Sequence, residues 1–553
     1  MVKSVVSANL AGVGEGLDFI EQALKEYKFK SKSITESLLL SEESMVRLIE
    51  HAPSDGTIHI SVKNHHGLAT ITLSAPGPEF TAADNANRIV IDDGEMGRSS
   101  EAAIRDVLLR AYEGKMVYAR KGKYNFIKIT AGMPERVFAK RTVIALAAAI
   151  IVGLVLLQFL PASASGALDT YLFVPIEQIF INLLMFLSAP AIFLSIITCV
   201  ARYSSFSDPG RVSIKAFAGY ALTSIAAVLI GGMVYSLITP GTPGECSYIT
   251  LASQVQTTAP GTDFLSTLVN IVPSNIIDPF QKMDTLQILF IALVFGIALG
   301  RIGDYSAPLK NFIEAMNTLL TKVISILMNF IPVATFASTV SIILNTGSRV
   351  LLSVGEMLLT ALLGLTVMML IYCLIVFTIA RLNPVTFIKK FLPAMKETFL
   401  RGSGLSALPK TMRCCKSALG ISPKVYSFTI PFGATFNMDG NCVYLTIAGL
   451  FIARVCGVSL FSSDVLPLIF TVFILSVGAP ITPGTTLICL SVLLNQLGVS
   501  ATAASILFGI NAIVEMFLAM SNATGDVAVT LAIAKSEGLL NTDVFNSKPK
   551  VRT

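Results

Sequence analysis

The sequence predicts an α-helical membrane protein preceded by a small α+β domain, and three observations lead to this prediction. Hydrophobic residues make up 53% of the 553 residues, charged residues make up only 14%, and the mean hydropathy is +0.71. Residues 1–133 hold 17 of the 35 acidic residues, so the rest of the chain is poor in charge. Apolar stretches of the length that crosses a bilayer, about 20 residues, recur from Thr142 onward. Most of the chain therefore belongs in lipid.

The two compositions divide the chain into three expected parts. Residues 1–133 alternate helix-like and strand-like patterns as a soluble domain does, residues 134–540 form the membrane domain, and residues 541–553 form a C-terminal tail. The chain begins without the charged and then apolar pattern of a signal peptide. We therefore expect the first domain to lie in the cytoplasm.

Composition also excludes several classes of function. All four histidines lie in the first 70 residues, so neither a histidine-ligated metal nor a histidine proton relay is expected in the membrane domain. The eight cysteines are scattered through apolar runs without metal-ligand spacing, and we interpret them as free thiols. The net charge is only +6 and the basic residues form no continuous face, so no nucleic-acid partner is expected. We do not expect an enzyme.

Six apolar stretches are long enough to cross a membrane, and several exceed that length, which indicates tilted or broken helices. The connections 161–170 and 240–263 contain no Lys or Arg, whereas 381–424 carries nine. Because cytoplasmic loops are enriched in Lys and Arg, we expect a multi-pass protein of the cell membrane with both termini in the cytoplasm. The stretches are 142–160, 171–200, 214–239, 264–300, 309–345 and 353–380.

Two later segments, 385–417 and 461–498, are interrupted in the middle by small residues and proline. The interruptions read Gly-Ser-Gly-Leu-Ser-Ala-Leu-Pro at 402–409 and Ser-Val-Gly-Ala-Pro-Ile-Thr-Pro-Gly at 476–484. Irregular backbone at membrane depth is tolerated only where protein buries it or where it lines a cavity. Two broken segments in corresponding positions therefore indicate a transporter's binding site. The alternative is a pair of kinked helices or interfacial loops.

Three carboxylates lie far from the helix ends of the last apolar spans, namely Asp439, Glu515 and Asp526. Ionisable residues inside a membrane are rare and mark functional sites. The first lies in the run Asn-Met-Asp-Gly-Asn at 437–441, where glycine and two asparagines are expected to unwind the helix and free carbonyl oxygens. Carboxylate and carbonyl oxygens are hard ligands, which suit an alkali cation better than zinc or copper.

Helical spacing places further polar groups on two faces. Steps of four, three, four and four on the last span align Asn511, Glu515, Leu518, Asn522 and Asp526. Spacing i, i+3 and i+4 on the third span aligns Tyr220, Thr223 and Ser224. Either face could line a polar site. For the trio on the third span, hydrogen bonding between helices is the alternative.

These runs together resemble the dicarboxylate/amino acid:cation symporter family, which includes glutamate transporters, over about 140–540. The family signature is similar to Asn-Met-Asp-Gly at 437–440, and the first hairpin is similar to 402–409. The eighth helix is similar to Ser-Asn-Ala-Thr-Gly-Asp at 521–526, and the fourth to Ile-Val-Pro-Ser-Asn-Ile-Ile at 271–277.

The resemblance implies a homotrimer whose protomers have eight transmembrane helices and two re-entrant hairpins. It also implies an elevator mechanism, in which a scaffold at about 140–380 stays still while a transport core at about 385–536 crosses the membrane with its cargo. The small-molecule substrate would be carried together with sodium ions, and family members driven by protons also exist.

The resemblance implies three sodium sites. The first uses the Asp526 carboxylate with backbone of Asn437 and Asn522. The second uses Asp439 with Asn437, Tyr220, Thr223 and Ser224. The third uses backbone at the second hairpin tip together with Met438. The residues of these sites are Tyr220, Thr223, Ser224, Asn437, Met438, Asp439, Ser476, Asn522 and Asp526.

The implied substrate pocket departs from the family pattern; its residues are Ser403, Asn441, Glu515, Leu518, Ala519 and Asn522. Glutamate and aspartate carriers have an arginine where this chain has Leu518, and its guanidinium pairs with the side-chain carboxylate of the substrate. Here a second substrate carboxylate would be buried without a partner. Glu515 stands in place of the family's Asp and keeps a carboxylate for an α-amino group. We expect a neutral amino acid or small zwitterion, and the alternative is a dicarboxylate or other small organic anion.

Residues 10–131 resemble, more weakly, the ATPase fold of histidine kinases and anti-sigma-factor kinases. Arg47 stands where that fold has its magnesium-ligating Asn, and Ala75 stands where it has the Asp that reads adenine. We therefore expect a binding or regulatory module rather than ATP hydrolysis. The alternatives to symport are a membrane sensor built on this domain and a transporter-like receptor that no longer moves its ligand.

Overall fold

The computed structural model describes the chain in sixteen stretches, and each structural statement applies to them. These stretches are residues 2–27, 29, 31–50, 53, 56–65, 68–78, 116–131, 136–204, 211–245, 269, 271–282, 284–302, 306–347, 349–458, 465–478 and 484–547. The chain forms two compact units, Met1–Glu135 and Arg136–Thr553.

The first unit is a five-stranded antiparallel sheet with two helices packed against it. The strand order is β1-β2-β3-β5-β4. Its elements are β1 (Val2–Ser7), α1 (Leu10–Glu26), α2 (Ser31–Glu50), β2 (Thr57–His65), β3 (Leu68–Pro76), β4 (Met116–Lys121) and β5 (Tyr124–Ala131). The Asn9 side chain caps the N-terminus of α1 by accepting a hydrogen bond from the Gly12 amide, 2.9 Å away. The unit is the α+β region that the sequence predicts, and β1 lies before the stretch that carried the resemblance.

Two positions of the first unit bear on nucleotide binding. The Arg47 guanidinium lies 3.4 Å from the Glu43 carboxylate one turn earlier on α2. Ala75 is 1% exposed and pairs with Asn125 across the sheet. The absence of ATP hydrolysis stays a prediction, and residues 79–115 of the stretch that carries the resemblance lie outside the described residues.

The second unit is helical, and its first half runs from α3 to α11. These helices are α3 (Arg136–Phe159), α4 (Ala162–Leu168), a π-helical turn (Asp169–Phe173), α5 (Val174–Ser204), α6 (Arg211–Ile238), α7 (Asp278–Lys282), α8 (Thr285–Arg301), α9 (Ser306–Met328), α10 (Ile331–Thr346) and α11 (Arg349–Thr378).

The second half contains the two broken segments and the last spans. Its helices are α12 (Pro384–Arg401), α13 (Gly404–Ser417), α14 (Pro423–Phe436), α15 (Asp439–Val455), α16 (Val465–Gly478), α17 (Thr485–Gln496), a 3₁₀ segment (Ala501–Leu507), α18 (Phe508–Ser536) and α19 (Thr542–Asn546). No disulfide bond joins cysteines of the described residues.

Five described helical stretches are long and apolar enough to cross a membrane: Arg141–Phe159, Ala162–Ala201, Arg211–Ile238, Arg349–Thr378 and Ala501–Ser536. A sixth is the pair Pro308–Met328 and Ile331–Thr346, which is bent by 52° at the break.

Two of the expected crossings differ from the structure. The stretch 309–345 is broken because Pro332 lies in the first turn of α10, where its ring cannot continue the preceding helix. In the stretch 264–300, the described residues 271–277 are irregular, and the apolar helix begins only at Thr285. The number of eight transmembrane helices remains a prediction.

Each broken segment forms two helices that pack against each other. In the first, Gly402 adopts the left-handed conformation with φ of 62° and ends α12, and α13 begins at Gly404. The interruption is shorter than the expected 402–409, because one left-handed glycine suffices to redirect the chain. In the second, α16 and α17 flank residues 479–483, which lie outside the described residues.

The helices of the second unit pack in two groups. In the first group, α8, α9 and α10 contact α5, and α3 contacts α10. In the second group, α18 contacts α14 and α15, and α6 contacts all three of these helices. Helix α11 contacts α6, α15 and α18. The second group brings together most of the sequence-predicted site residues.

Candidate cation and substrate site

The span 423–455 is broken at Asn437 and Met438, which lie between α14 and α15. Their φ and ψ angles are −101° and 79° for Asn437, and −101° and 55° for Met438. Gly440 and Asn441 lie inside α15, so the unwound part is shorter than the expected 437–441. A break inside a helix frees carbonyl oxygens of the preceding turn and amides of the following one. The oxygens predicted as cation ligands are thus placed at the middle of a buried span.

Asp439 is fully buried and is held by hydroxyl groups from two neighbouring helices. Ser224 on α6 donates to its Oδ1 at 2.8 Å, and Tyr372 on α11 donates to its Oδ2 at 2.9 Å. Thr223 donates to the side-chain oxygen of Asn437 at 3.1 Å. The structure therefore brings together four of the residues that the resemblance assigns to the second sodium site: Thr223, Ser224, Asn437 and Asp439.

Asp526 on α18 lies on the other side of the Asn437 amide. The Nδ2 of Asn437 donates to Asp526 Oδ1 at 3.1 Å, so this one amide bridges the surroundings of both aspartates. Gly433 makes the approach possible, because a Cβ atom at this position would lie 2.4 Å from Asp526 Oδ1. Asp526 is 3% exposed.

Tyr220 lies beside Asp526 rather than beside Asp439. Its hydroxyl donates to the Thr429 carbonyl at 2.9 Å and lies 3.3 Å from the Thr530 hydroxyl. The same hydroxyl is 3.4 Å from the backbone oxygen of Asp526. The trio on α6 is therefore divided: Ser224 reaches Asp439 and Thr223 reaches the neighbouring Asn437, whereas Tyr220 reaches α14 and α18.

The three acidic residues of the site have no basic partner among the described residues. The ion pairs found there all lie elsewhere, for example Lys215 with Glu537 and Arg401 with Glu397. The described residues also contain no cluster of three or more His, Cys, Asp or Glu that could hold a metal ion. Buried carboxylates without a counter-charge are costly. The donor set suits small hard cations bound by mixed carboxylate, amide, hydroxyl and backbone oxygens.

The expected substrate residues lie beside the break on α15 and α18. Asn522 accepts from the Gly440 amide at 2.7 Å and donates to the side-chain oxygen of Asn441 at 3.0 Å. Leu518 is 2% exposed, and its backbone lies close to Gly440. Ala519 is 7% exposed on the next position of α18.

Glu515 lies further along the same helix and contacts the second broken segment. Its Oε1 accepts from the Gly484 amide at 2.8 Å and from the Asn511 side chain at 3.2 Å. Ser403 follows Gly402, whose Cβ position would lie 3.8 Å from Met516. Both broken segments thus meet α18 near the expected pocket.

The third implied sodium site is only partly described. Met438 is 9% exposed at the helix break, and Ser476 is 1% exposed. The Ser476 hydroxyl donates to the Phe473 carbonyl of its own helix at 2.7 Å. The tip residues 479–483, which would complete this site, lie outside the described residues.

Sequence reasoning missed Tyr372, Thr429, Gly433 and Thr530. Tyr372 is the only tyrosine of the apolar stretch 349–378, and a buried tyrosine hydroxyl usually finds a hydrogen-bond partner. That signal marks it as a polar group needing a partner. The sequence contains no signal for which carboxylate the partner is, because this depends on how α11 packs on α15.

Residues 138–536 match the model of the sodium:dicarboxylate symporter family. The chain belongs to this family. It is a family of transporters rather than enzymes, and membership confirms the resemblance drawn from the signature at 437–440. The protein is therefore a cation-coupled symporter-family member that spans the cell membrane several times, and its fold is helical with a small N-terminal α+β region.

Similar proteins carry two kinds of substrate name. The C4-dicarboxylate transport protein 3 of Ralstonia nicotianae is 29% identical over 66% of this chain and 83% of its own length. The C4-dicarboxylate transport protein 2 of Mesorhizobium japonicum is 32% identical over 66% of this chain and 84% of its own length. The proton/sodium-glutamate symport protein of Bacillus subtilis is 28% identical over 73% of this chain and 95% of its own length.

Proposed function

We propose that the protein is a sodium-driven symporter for a neutral amino acid or similar small zwitterion. The observation that carries the proposal is that Asp439 and Asp526 flank one helix break, with Glu515 further along α18, and that none of the three has a basic partner among the described residues. Such a site favours positively charged cargo and disfavours a substrate with two negative charges.

Sodium is the proposed coupling ion because of the oxygen set around the two aspartates. Asp439 and Asp526 are joined through the Asn437 amide, and hydroxyls of Thr223, Ser224 and Tyr372 lie beside them. A hydroxyl that now donates to a carboxylate can turn a lone pair toward a bound cation. Because cation and substrate would occupy adjoining oxygens, each would raise the affinity for the other by the same factor.

The proposed substrate pocket combines one acid with apolar and amide groups. Glu515 would hold an ammonium group, Asn522 would donate to a carboxylate, and Leu518 would contact an apolar side chain. In the structure Glu515 also bonds the Gly484 amide at the start of α17. An ammonium group that binds Glu515 would therefore contact the second broken segment as well as α18.

The proposed moving body includes α6 and α11 as well as residues 385–536. A boundary at about 380 would separate Ser224 and Tyr372 from Asp439, and it would separate Tyr220 from Thr429. These are buried hydrogen bonds, and leaving a buried partner unsatisfied costs roughly 1–3 kcal/mol each. An elevator movement is less costly when both helices travel with the core. The homotrimer implied by the resemblance is kept as part of the proposal.

A second candidate substrate is a C4-dicarboxylate, which the names of the relatives from Ralstonia nicotianae and Mesorhizobium japonicum favour. Binding of a C4-dicarboxylate would require a positive charge from somewhere other than position 518, because Leu518 cannot pair with a carboxylate. Residues 479–483 of the second hairpin tip lie outside the described residues. A bound sodium ion beside the pocket could supply part of the charge.

Flux measurements separate the two candidates. The full chain is reconstituted in sealed vesicles with an inward sodium gradient, and accumulation of labelled neutral amino acids is compared with that of labelled C4-dicarboxylates. We expect sodium-dependent accumulation of a neutral amino acid that an excess of dicarboxylate leaves unchanged. Accumulation of the dicarboxylate instead would support the second candidate substrate. Accumulation without sodium would reject sodium as the coupling ion.

A further inference from the structure

A second polar cluster lies in the membrane unit away from the helix break. It consists of Asp169, Glu177, Asn345 and Ser505, which come from the π-helical turn, α5, α10 and the 3₁₀ segment. The π-helical turn and the 3₁₀ segment each pack against α5 and α10, which also pack against each other. Asp169 is 7% exposed and Glu177 is 8% exposed, so both carboxylates are buried in a span that the family signature does not involve.

The π-helical turn brings the two acids to one face. Asp169 and Glu177 are eight residues apart, and on a regular helix that spacing rotates the second side chain by about 80°. A π turn absorbs one extra residue, which returns Glu177 close to the face of Asp169. Asp169 begins that turn, whose last bond runs from the Val174 amide to the Asp169 carbonyl. Glu177 interacts electrostatically with Asp169 and faces the Ser505 side chain.

One buried oxygen of the cluster, Asp169 Oδ1, lacks a hydrogen-bond partner. The Ser505 hydroxyl, which is 1% exposed, lies beside the Glu177 carboxylate. The other oxygen of Asp169 accepts from the Asn345 side chain at 2.7 Å. An unmade hydrogen bond on a buried polar atom is rare in a native structure and calls for a missing water or ion.

Neither carboxylate of the cluster pairs with a Lys or Arg among the described residues. The packed neighbours from α10 and the 3₁₀ segment contribute hydroxyls and amides, such as Ser338, whose hydroxyl lies 3.4 Å from the Ser505 carbonyl. Asn345 is exposed, so the cluster reaches from the surface of the unit to its interior. A small cation could enter beside Asn345 and be held between the acids.

We propose that Asp169, Glu177 and Ser505 form a sodium site separate from the site at the helix break. Carboxylate and hydroxyl oxygens are hard ligands suited to sodium, whereas calcium takes about six to eight oxygens, more than these side chains supply. The 3₁₀ segment leads directly into α18, so a bound ion would join α5 and α10 to the start of the helix that carries Glu515 and Asp526. It would stabilise that junction without touching the transported substrate.

Sodium binding to the purified full chain tests this assignment. Radioactive sodium bound per chain is measured at constant ionic strength, with choline replacing sodium. We expect Glu177→Gln and Asp169→Asn each to bind one sodium ion fewer per chain than the unmodified protein. Gln178→Ala changes the exposed neighbour of Glu177 and should leave the number unchanged.

A variant of the helix-break site keeps the two sites distinguishable. Asp526→Asn should lose sodium at the transport site and keep the component that Glu177→Gln removes, and the double variant should lose both. If Glu177→Gln does not fold, two other measurements test the site: the sodium bound by Asp169→Asn, and the sodium that still binds to Asp526→Asn. An unchanged sodium count in both acid variants would overturn the site, and so would calcium binding or proton uptake in place of sodium. The failure of sodium-driven flux would leave this result unaffected.

Discussion

Asp439 is the residue whose replacement best separates charge from hydrogen bonding. Asp439→Asn keeps the shape but removes the negative charge, so we expect sodium affinity to fall by a factor of about 100, from a loss of about 3 kcal/mol. Tyr372→Phe removes only the hydroxyl that donates at 2.9 Å, and we expect a fall of about tenfold. Sodium-dependent thermal stabilisation of the purified chain measures both. Equal affinities in all three proteins would contradict the proposed role of Asp439.

Leu518 decides between the two candidate substrates at the level of one side chain. Leu518→Arg places a guanidinium on the face of α18 that carries Asn522, and it should let a dicarboxylate compete for binding. Leu518→Met conserves the volume and should keep the preference for a neutral amino acid. Competition of unlabelled dicarboxylate against labelled neutral amino acid in vesicles gives the ratio of the two affinities. A chain that already prefers dicarboxylate with Leu518 in place would contradict the pocket assignment.

Gly433 tests the close approach of α14 to Asp526. A Cβ atom there would lie 2.4 Å from the Asp526 carboxylate, so Gly433→Ala must displace this side chain. We expect a loss of roughly 1–3 kcal/mol in stability together with weaker sodium binding. Gly355→Ala on α11 is the control, because a Cβ atom at that position meets nothing within 4 Å. Replacing glycine by alanine in an open helix position stabilises by up to about 1 kcal/mol.

At the scale of elements, the sequence predicts breaks better than contacts. Small residues and proline mark Gly402 and the Asn437–Met438 break, because local backbone preferences act over a few residues. The bend between α9 and α10 follows from Pro332, yet the hydropathy of 309–345 conceals it. The division of Tyr220 from Thr223 and Ser224 could not be predicted, because it depends on the position of α6 between α14 and α15. The sequence therefore named part of the residues at the break, but it missed Tyr372 and Thr429 and could not predict which residues pair.

The C-terminal helix α19 is attached to the membrane unit by specific contacts, although the sequence predicts only a tail from 541. Lys390 on α12 donates to the Val544 carbonyl at 2.6 Å and to the Ala418 carbonyl at 3.1 Å. Phe545 is fully buried beneath the Lys390 ammonium, which lies 6.0 Å from the ring centre. Helix α19 is thus bound to α12 and to the residue that follows α13 through Lys390.

Replacing Phe545 measures how much this attachment contributes. Phe545→Ala removes a fully buried ring, and we expect a loss of about 3–5 kcal/mol in the free energy of unfolding. Asn546→Ala alters the exposed neighbour and should change stability by less than about 0.5 kcal/mol. Thermal unfolding of the purified full chain compares the two. Equal unfolding temperatures would indicate that α19 detaches before the unit unfolds.

At the scale of the whole molecule, the hydrogen bonds and the family resemblance give different divisions of the membrane unit. The resemblance implied a scaffold at about 140–380 and a transport core at about 385–536. The buried bonds of Ser224 and Tyr372 instead join α6 and α11 to the later helices. Long-range contacts of this kind are absent from any local sequence pattern, so the proposed moving body could be drawn only from the structure.

Engineered disulfides test which helices move together during transport. A Cβ atom at Gly219 on α6 would lie 2.8 Å from a methyl of Val529 on α18, and one at Gly509 on α18 would lie 2.5 Å from a methyl of Leu146 on α3. We expect the cysteine pair at 219 and 529 to retain sodium-driven flux under oxidising conditions, because both helices belong to the proposed moving body. The pair at 146 and 509 should lose flux and regain it after reduction, because it ties that body to α3. Retained flux with a complete disulfide at 146 and 509 would show that the movement does not separate these helices.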